Sequence, residues 1–276
     1  VFITGCSTGI GYCVAHGLKS RGFTVIASAR KPGDVARLTE EGLDCIELDL
    51  DRPESIARAV EELADKTGEK IYGLFNNAGF GQPGAVEDLR REVLRAQFET
   101  NVFGTMELTR RILPWMRTAG EGRIIQNSSV LGFVSLAYRG AYNASKYALE
   151  GLYDTLRLEL SGTNIYPVLI EPGPITSRFR ANAFAAYQRH IDIENSVHRE
   201  VYLATEKRLN GTAAAMPFTL PPEAVLDKVI KALQSRKPHP RYYVTFPTHL
   251  FGTLKRVLST RSLDRILLRI SRNELK

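Results

Sequence analysis

The chain has 276 residues, is 43% hydrophobic and 24% charged, and carries a net charge of +7. The length suits an α/β fold built on one continuous sheet, and the composition suits a globular protein. No run of about 18 apolar residues occurs, which excludes a membrane-spanning helix from the expectation. Short apolar runs then alternate with helical patterns from the start. VFIT (1–4) leads into a helix over about 10–21, followed by FTVIASA (23–29), a helix around 33–41 and DCIEL (44–48). Residues 55–67 read as helix behind Pro53, and YGLFNN (72–77) as the next strand. A long helical stretch over about 89–117 is expected to break near 101–104 and again at Pro114. GRIIQNSS (122–129) reads as strand, 142–160 as helix and IYPVLIEP (165–172) as strand. A helix near 222–235 and a last strand, RYYVTF (241–246), close the pattern.

Strands spaced by helices predict a doubly wound, mostly parallel sheet of about seven strands, covered on both faces. One domain is expected over 1–276. Residues 175–216 interrupt the alternation with polar sequence in which Phe179, Phe184, Ile191, Ile193, Tyr202 and Leu203 are scattered. A long insertion after the carboxyl end of a strand is usually functional, and it is read as a substrate lid.

VFITG already reads as strand and turn, so no leader is expected, and a few residues are expected ahead of Val1. Cys6, Cys13 and Cys45 are odd in number and lack CxxC spacing. They are expected as small packing residues in a reducing compartment. The five histidines form no HExxH or Cys/His cluster, so no metal site is expected. Asn127, Asn143 and Asn210 open N-x-S/T triplets that are read as accidents of composition. From Arg241 onward, eight Lys and Arg face only Asp264 and Glu274. The rest of the chain is close to neutral, so a nucleic-acid surface is not expected.

TGCSTGIG (4–11) stands between the first strand and the first helix. Gly5 can turn tightly, Gly9 lets backbone approach a pyrophosphate, and Gly11 lets helix and strand pack closely. Free N–H groups there, with Ser7, Thr8 and Ile10 in the same turn, favour an anion. The spacing T-G-x-x-x-G-x-G differs from the G-x-G-x-x-G dinucleotide fingerprint. The second strand ends ASARKP, with Ala29 where an NAD site would place an acid and Arg30 and Lys31 following. A guanidinium can bind a 2′-phosphate bidentately, so NADP(H) is expected. Asp49, followed by Leu50, is placed either to accept from an adenine amino group or to cap the helix behind Pro53.

In YNASK (142–146), Tyr142 and Lys146 are four apart and therefore neighbours on one helical face. A phenol with its ordinary pKa of about 10 is a poor acid near neutrality, and an adjacent ammonium favours phenolate. The same spacing occurs on ordinary helices, so its company matters. NNAG (76–79), NVFG (101–104), NSS (127–129) and EPGP (171–174) accompany it in order. With TGxxxGxG and YxxxK, this set resembles the short-chain dehydrogenase/reductase family from Val1 to about Arg178. FNNAGFG and GAYNASKYALEGLYDTLRLEL look most like its hydroxysteroid and retinol dehydrogenase group. RKPGDVARL and EPGPITSRF resemble that group's bacterial aldehyde-reducing members.

The resemblance implies roles residue by residue. Tyr142 would be general acid in reduction and base in oxidation, Ser129 would hydrogen-bond the substrate oxygen, and Lys146 would bind the nicotinamide ribose and lower the Tyr142 pKa. Ser128 rivals Ser129, but the interval of 13 residues to Tyr142 favours Ser129. Asn101 would hold a water on a relay to Lys146. Asn77, Ala78 and Gly79 would line the adenosine side. Pro172 and Gly173 would face the nicotinamide, with Ile175 beside them and Thr176 on the carboxamide.

The implied activity is NADPH-dependent reduction of an apolar aldehyde or ketone, with Phe80, Phe133, Leu136, Phe179 and Phe184 as candidate pocket walls. The alternatives are an alcohol or hydroxysteroid dehydrogenase running oxidatively with NAD(P), and a non-catalytic NADP-sensing regulator. A dimer or tetramer formed through the helices at 89–117 and 142–160 is expected, in the cytoplasm.

Residues 247–276 read as a basic amphipathic helical extension. Leu250, Leu254, Val257 and Leu258 fall on one face, and Leu263, Ile266, Leu267 and Ile270 on another. It would pack over the cleft, join a subunit interface, or lie on the inner face of a membrane.

Overall fold

The computed structural model describes residues 1–210 and 217–273. Strands β1 (Phe2–Ile3), β2 (Ile26–Ala29), β3 (Asp44–Glu47), β4 (Gly73–Asn76), β5 (Gly122–Asn127), β6 (Ile165–Glu171) and β7 (Arg241–Tyr243) form one sheet. Its order is β3-β2-β1-β4-β5-β6-β7, and each of these pairs is parallel. IASA, GLFN and GRIIQN are buried along their whole length. A sheet covered on both faces requires such continuous burial.

Alternate residues of each strand feed two apolar layers. Phe2, Leu74 and Ile124 pack with α3 (Pro53–Thr67), α5 (Thr105–Ala119) and α6 (Gly140–Glu159) through Ile56, Leu63, Leu108, Ile112, Leu149 and Tyr153. Their neighbours Ile3, Phe75 and Ile125 pack on the other side with α1 (Gly9–Lys19), α2 (Pro32–Glu40) and α9 (Glu223–Gln234) through Val14, Leu18, Leu38, Val225 and Val229. Each such aliphatic side chain stabilises the fold by about 1.5–3 kcal/mol. Cys6 and Cys45 are buried and Cys13 half-buried, all as free thiols.

The expected break at 101–104 is a π-helical segment, Glu99–Gly104, between α4 (Arg91–Phe98) and α5. The expected break at Pro114 is absent, because α5 runs through it. The carbonyl that Pro114 frees belongs to exposed Arg110, which solvent can reach. Within 175–216 lie α7 (Phe179–His190) and α8 (Arg199–Asn210). Residues 211–216 of the expected lid, and with them part of the Asn210 triplet, lie outside the described residues, as do Glu274 and Lys276. Tyr187, Ile191 and Tyr202 from this segment pack on Ala85, Leu89, Val93 and Ala141.

The tail forms α10 (Phe246–Val257) and α11 (Thr260–Asn273). Leu254, Leu263, Ile266, Leu267 and Ile270 join Phe251, Leu131 and Val134 in one cluster that also reaches Tyr142. The α10 face differs from the expected one. Thr248, Phe251 and Gly252 are its buried residues, whereas Leu250 and Val257 are exposed. Gly252 sets that rotation: a Cβ there would stand 2.6 Å from the Tyr243 ring, so the helix is seated on its glycine. No helix among the described residues is long and apolar enough to cross a membrane.

Candidate active site

Strand order reverses between β1 and β4, and the carboxyl ends there bound a crevice. The glycine turn sits in it. Gly5 has φ +71° and Gly9 φ +62°, left-handed values that a side chain would strain. A Cβ on Gly11 would stand 2.3 Å from the Gly5 carbonyl and 2.5 Å from Asn77 Nδ2. Asn77 is therefore a brace. Its Nδ2 donates to the carbonyls of Thr4 and Gly5 at 3.0 and 3.1 Å, and its Oδ1 accepts from Asn127 at 3.0 Å. Thr4 Oγ1 accepts from the N–H groups of Asn77 and Ala78. Ala78 lies directly against Gly5, and Gly79 faces Asn101.

The end of β2 is hydrogen-bonded to this turn, Cys6 N–H donating to the Ser28 carbonyl at 2.8 Å. Arg30 and Lys31 follow it, both exposed. Arg37, which the sequence reading passed over, donates from α2 to the Ser7 carbonyl at 2.7 Å. Asp49 is engaged locally. It accepts from Asp51 N–H at 3.1 Å, and its own N–H donates to Ser55 Oγ at 2.9 Å. It does not cap the helix behind Pro53, whose N-cap is Arg52 with no side-chain cap hydrogen bond. Leu50 is buried, its carbonyl filling the space above Gly104.

Ser129, Tyr142 and Lys146 converge. Ser129 follows β5, its Oγ accepts from Leu131 N–H at 3.1 Å, and its hydroxyl acts on the Tyr142 phenol as a polar neighbour that favours ionisation. Ser128, its rival in the sequence, is buried and donates to Glu150. Lys146 Nζ lies 5.6 Å from the Tyr142 ring centroid and donates to the Asn127 carbonyl at 2.7 Å. Asn101 is buried in the π-helical segment. Its Oδ1 accepts from Phe80 N–H, and its Nδ2 donates to the Phe80 carbonyl and to Ser145, the residue before Lys146.

Burial pushes the Tyr142 phenol up to about 12, with the Ser129 hydroxyl and the Arg139 charge acting the other way. Burial brings Lys146 down to about 8, against the nearby Glu150 carboxylate. The expected lowering of Tyr142 is thus reversed: desolvation outweighs the neighbouring charge. The consequence is a neutral phenol beside a buried cation.

The family model for short chain dehydrogenases matches residues 1–188. The chain is 46% identical to an uncharacterised oxidoreductase of Escherichia coli, YbbO, over 97% of this chain and 93% of that one. It is 32% identical to the NADPH-dependent 3-dehydrocapnine reductase of Ornithobacterium rhinotracheale, over 96% and 94% of the two chains. It is 31% identical to human retinol dehydrogenase 8, over 95% and 86%. The chain belongs to the short-chain dehydrogenase/reductase family. This short-chain dehydrogenase is an oxidoreductase acting on CH–OH and carbonyl groups.

Around the Tyr142 side chain of the short-chain dehydrogenase, the expected pocket wall Phe179 makes a ring contact, the two centroids 5.2 Å apart. Phe184 belongs to the packing of α7, stacked on Tyr187. Phe133 stacks on Tyr243 and, like Leu136, joins the cluster under α10 and α11. A cavity of about 480 Å³ lies there, lined by Phe133, Ala137, Tyr147, Leu258 and Leu263. It contains neither the glycine turn nor Tyr142, so it is separate from the crevice where the hydroxyls meet. Pro172 accepts from Val130 N–H at 2.8 Å, and a Cβ on Gly173 would stand 2.2 Å from Thr245 Oγ1. Ile175 bridges Leu220, and Thr176 is exposed with its N–H donating to the Leu220 carbonyl.

Besides Arg37, sequence reasoning missed Gln97. Fully buried, it clamps Phe80 and Gln82 through both ends of its amide. A lone polar residue on the apolar side of α4 was its only signal.

Proposed function

We propose that the protein is an NADPH-dependent reductase of apolar aldehydes or ketones. The carrying observation is Tyr142 beside Ser129, a neutral, half-buried phenol close to Lys146 and under Phe179. Tyr142 is held as a proton donor, and Ser129 is placed to share the hydrogen bond to a carbonyl oxygen. As the oxygen gains negative charge, Tyr142 releases its proton and Lys146 stabilises the resulting phenolate. Asn101 holds Ser145 and the Phe80 backbone, and so fixes the helix turn that carries Lys146. The bare glycine turn, backed by Ala78, fits a dinucleotide diphosphate. Gly5, Ser7, Thr8, Gly9, Ile10 and Gly11 would hold it there, and when bound it supplies the hydride. The apolar class rests on Phe179 and on relatives named for retinol and 3-dehydrocapnine. We take 175–216, with Phe179 at its entry, as the lid. Exposed Phe103 on the π-helical segment and exposed Leu152 and Leu158 on α6 support pairing through the helical stretch at 89–117 and α6.

Preference for NADPH rests on Arg30 and Lys31, exposed where an NAD site would carry a carboxylate. Arg30→Ala is expected to weaken NADPH binding about 10- to 100-fold, the loss of one charge-assisted contact, and NADH binding by under about twofold. Fluorescence titration of both cofactors measures this, and equal losses would remove the assignment. Initial rates with both cofactors against aldehydes, ketones and sterols test the activity itself. Turnover confined to alcohol oxidation with NAD would select the oxidative reading instead.

Because the apolar faces of α10 and α11 are spent on Leu131, Val134 and Tyr142, we assign the tail to covering the domain rather than to a bilayer. Full-length protein is expected to stay in the supernatant when vesicles containing anionic lipid are pelleted. Pelleting that Leu268→Asp abolishes would show the opposite, since Leu268 is left 49% exposed.

A further inference from the structure

Behind the serine loop lies a buried ionic cluster with no part in the proton transfer above. Arg241 donates through Nη1 to Glu150 and to Glu171, and through Nη2 to Asp154 at 2.6 Å. Glu171 is fully buried and Glu150 nearly so. Glu171 Oε2 accepts no hydrogen bond among the described residues, and the two glutamate carboxyls lie within hydrogen-bond reach of each other. Such a pair cannot ionise twice without a large cost, because one guanidinium does not neutralise two buried anions. Burial accordingly raises Glu171 far above the usual carboxylate range, the Glu150 charge acts in the same direction, and Arg241 opposes both. Asp154 does not change this balance, being 41% exposed and shared with Arg157.

The cluster touches the catalytic elements at three points. Glu150 accepts from Ser128 Oγ, immediately before Ser129. Lys146 lies one helical turn ahead of Glu150 and is favoured as a cation by that carboxylate. Glu171 precedes Pro172, whose carbonyl ties the serine loop to the end of β6 through Val130 N–H.

We propose that Glu150, Glu171 and Arg241 form a positioning centre for the reacting hydroxyls, a carboxyl–carboxylate pair under one guanidinium that holds Ser128 and through it Ser129. Glu171 is the member that sets it. The charged groups that act on it are Glu150 from α6 and Arg241 from β7; Asp154 shares Arg241, and Lys146 lies on the far side of Glu150. Removal of its proton puts two anions on one Arg241 nitrogen, draws Glu150 off Ser128 and loosens the serine loop. This rests on the roles assigned above to Ser129 and Tyr142.

The test is kcat and KM against pH for the wild type, Glu171→Gln and Ser128→Ala, with Tyr142→Phe alongside and a melting temperature for each. Glutamine keeps the shape and cannot ionise, so Glu171→Gln is expected to lack one alkaline limb of the wild-type kcat profile. Lys146 titrates in both proteins, and the readout is the limb that differs. Ser128→Ala is expected to lower kcat about tenfold with the NADPH KM unchanged. A folded Glu171→Gln with the wild-type profile overturns the proposal, even where its melting temperature falls. So does wild-type kcat in Ser128→Ala, which decides alone should Glu171→Gln not fold. Turnover surviving in Tyr142→Phe strikes the underlying roles instead, whatever the other two variants do.

Discussion

Tyr142→Phe is expected to lower kcat by about 10²- to 10⁴-fold while leaving NADPH affinity within about twofold. The substitution removes one oxygen and keeps the ring that packs on Phe179 and joins the cluster beneath α10 and α11. Fold and cofactor site therefore persist, and the lost quantity is the proton. The pH dependence follows from the same groups. Tyr142, raised to about 12, stays protonated across the neutral range, so the donor is present throughout. Lys146, lowered to about 8, is cationic below that pH and neutral above it. Reduction should therefore decline as pH rises through about 8, since the cation that stabilises the departing phenolate is lost. Stopped-flow or steady-state NADPH consumption at saturating cofactor measures both effects. Loss of NADPH binding in the phenylalanine variant would contradict the role given to Tyr142.

Gly11→Ala should have the largest effect on the cofactor site as a structure. The added methyl would overlap the Gly5 carbonyl at 2.3 Å, which is backbone, and Asn77 Nδ2 at 2.5 Å, which is tied to the same turn. Neither neighbour can yield without opening the brace between β1 and β4. Overpacking of this kind costs about 1–3 kcal/mol. For a chain of this size that corresponds to a fall in melting temperature of about 2–5 °C. NADPH binding should drop with it, because the N–H groups that would face the diphosphate are displaced. Calorimetry and fluorescence titration on the same sample measure the two together. An unchanged melting temperature with intact binding would show that α1 does not pack as closely as described.

The parts of this molecule that were legible in advance are those written in short stretches of chain. The glycine turn after β1, the end of β2 and the YNASK stretch on α6 each hold their candidate groups within a few residues, so their place in the fold could be read from the chain. Boundaries were less legible. Phe23 looks like strand, but Gly22 takes a left-handed turn and Phe23 N–H closes the end of α1 on the Leu18 carbonyl, so β2 begins only at Ile26. Thr245 and Phe246 look like strand too, yet Thr245 is the cap of α10. Contacts that depend on distant pairing left no trace at all. Lys146 is held by the carbonyl of Asn127, a group every residue carries. Arg241 meets Glu150 and Glu171 only because β7 pairs with β6. The Tyr142 pKa was misjudged for a related reason: its depth depends on α10, α11 and Phe179, all remote in sequence.

The Phe179 ring lies in a slot left by Gly81, where a Cβ would stand 2.6 Å from its tip and 3.4 Å from the Tyr142 ring. One missing methyl thus makes room for the Phe179 ring against the phenol. On the function proposed above, adding a single carbon at that spot would retune which carbonyl compounds reach the phenol, without altering any group that reacts.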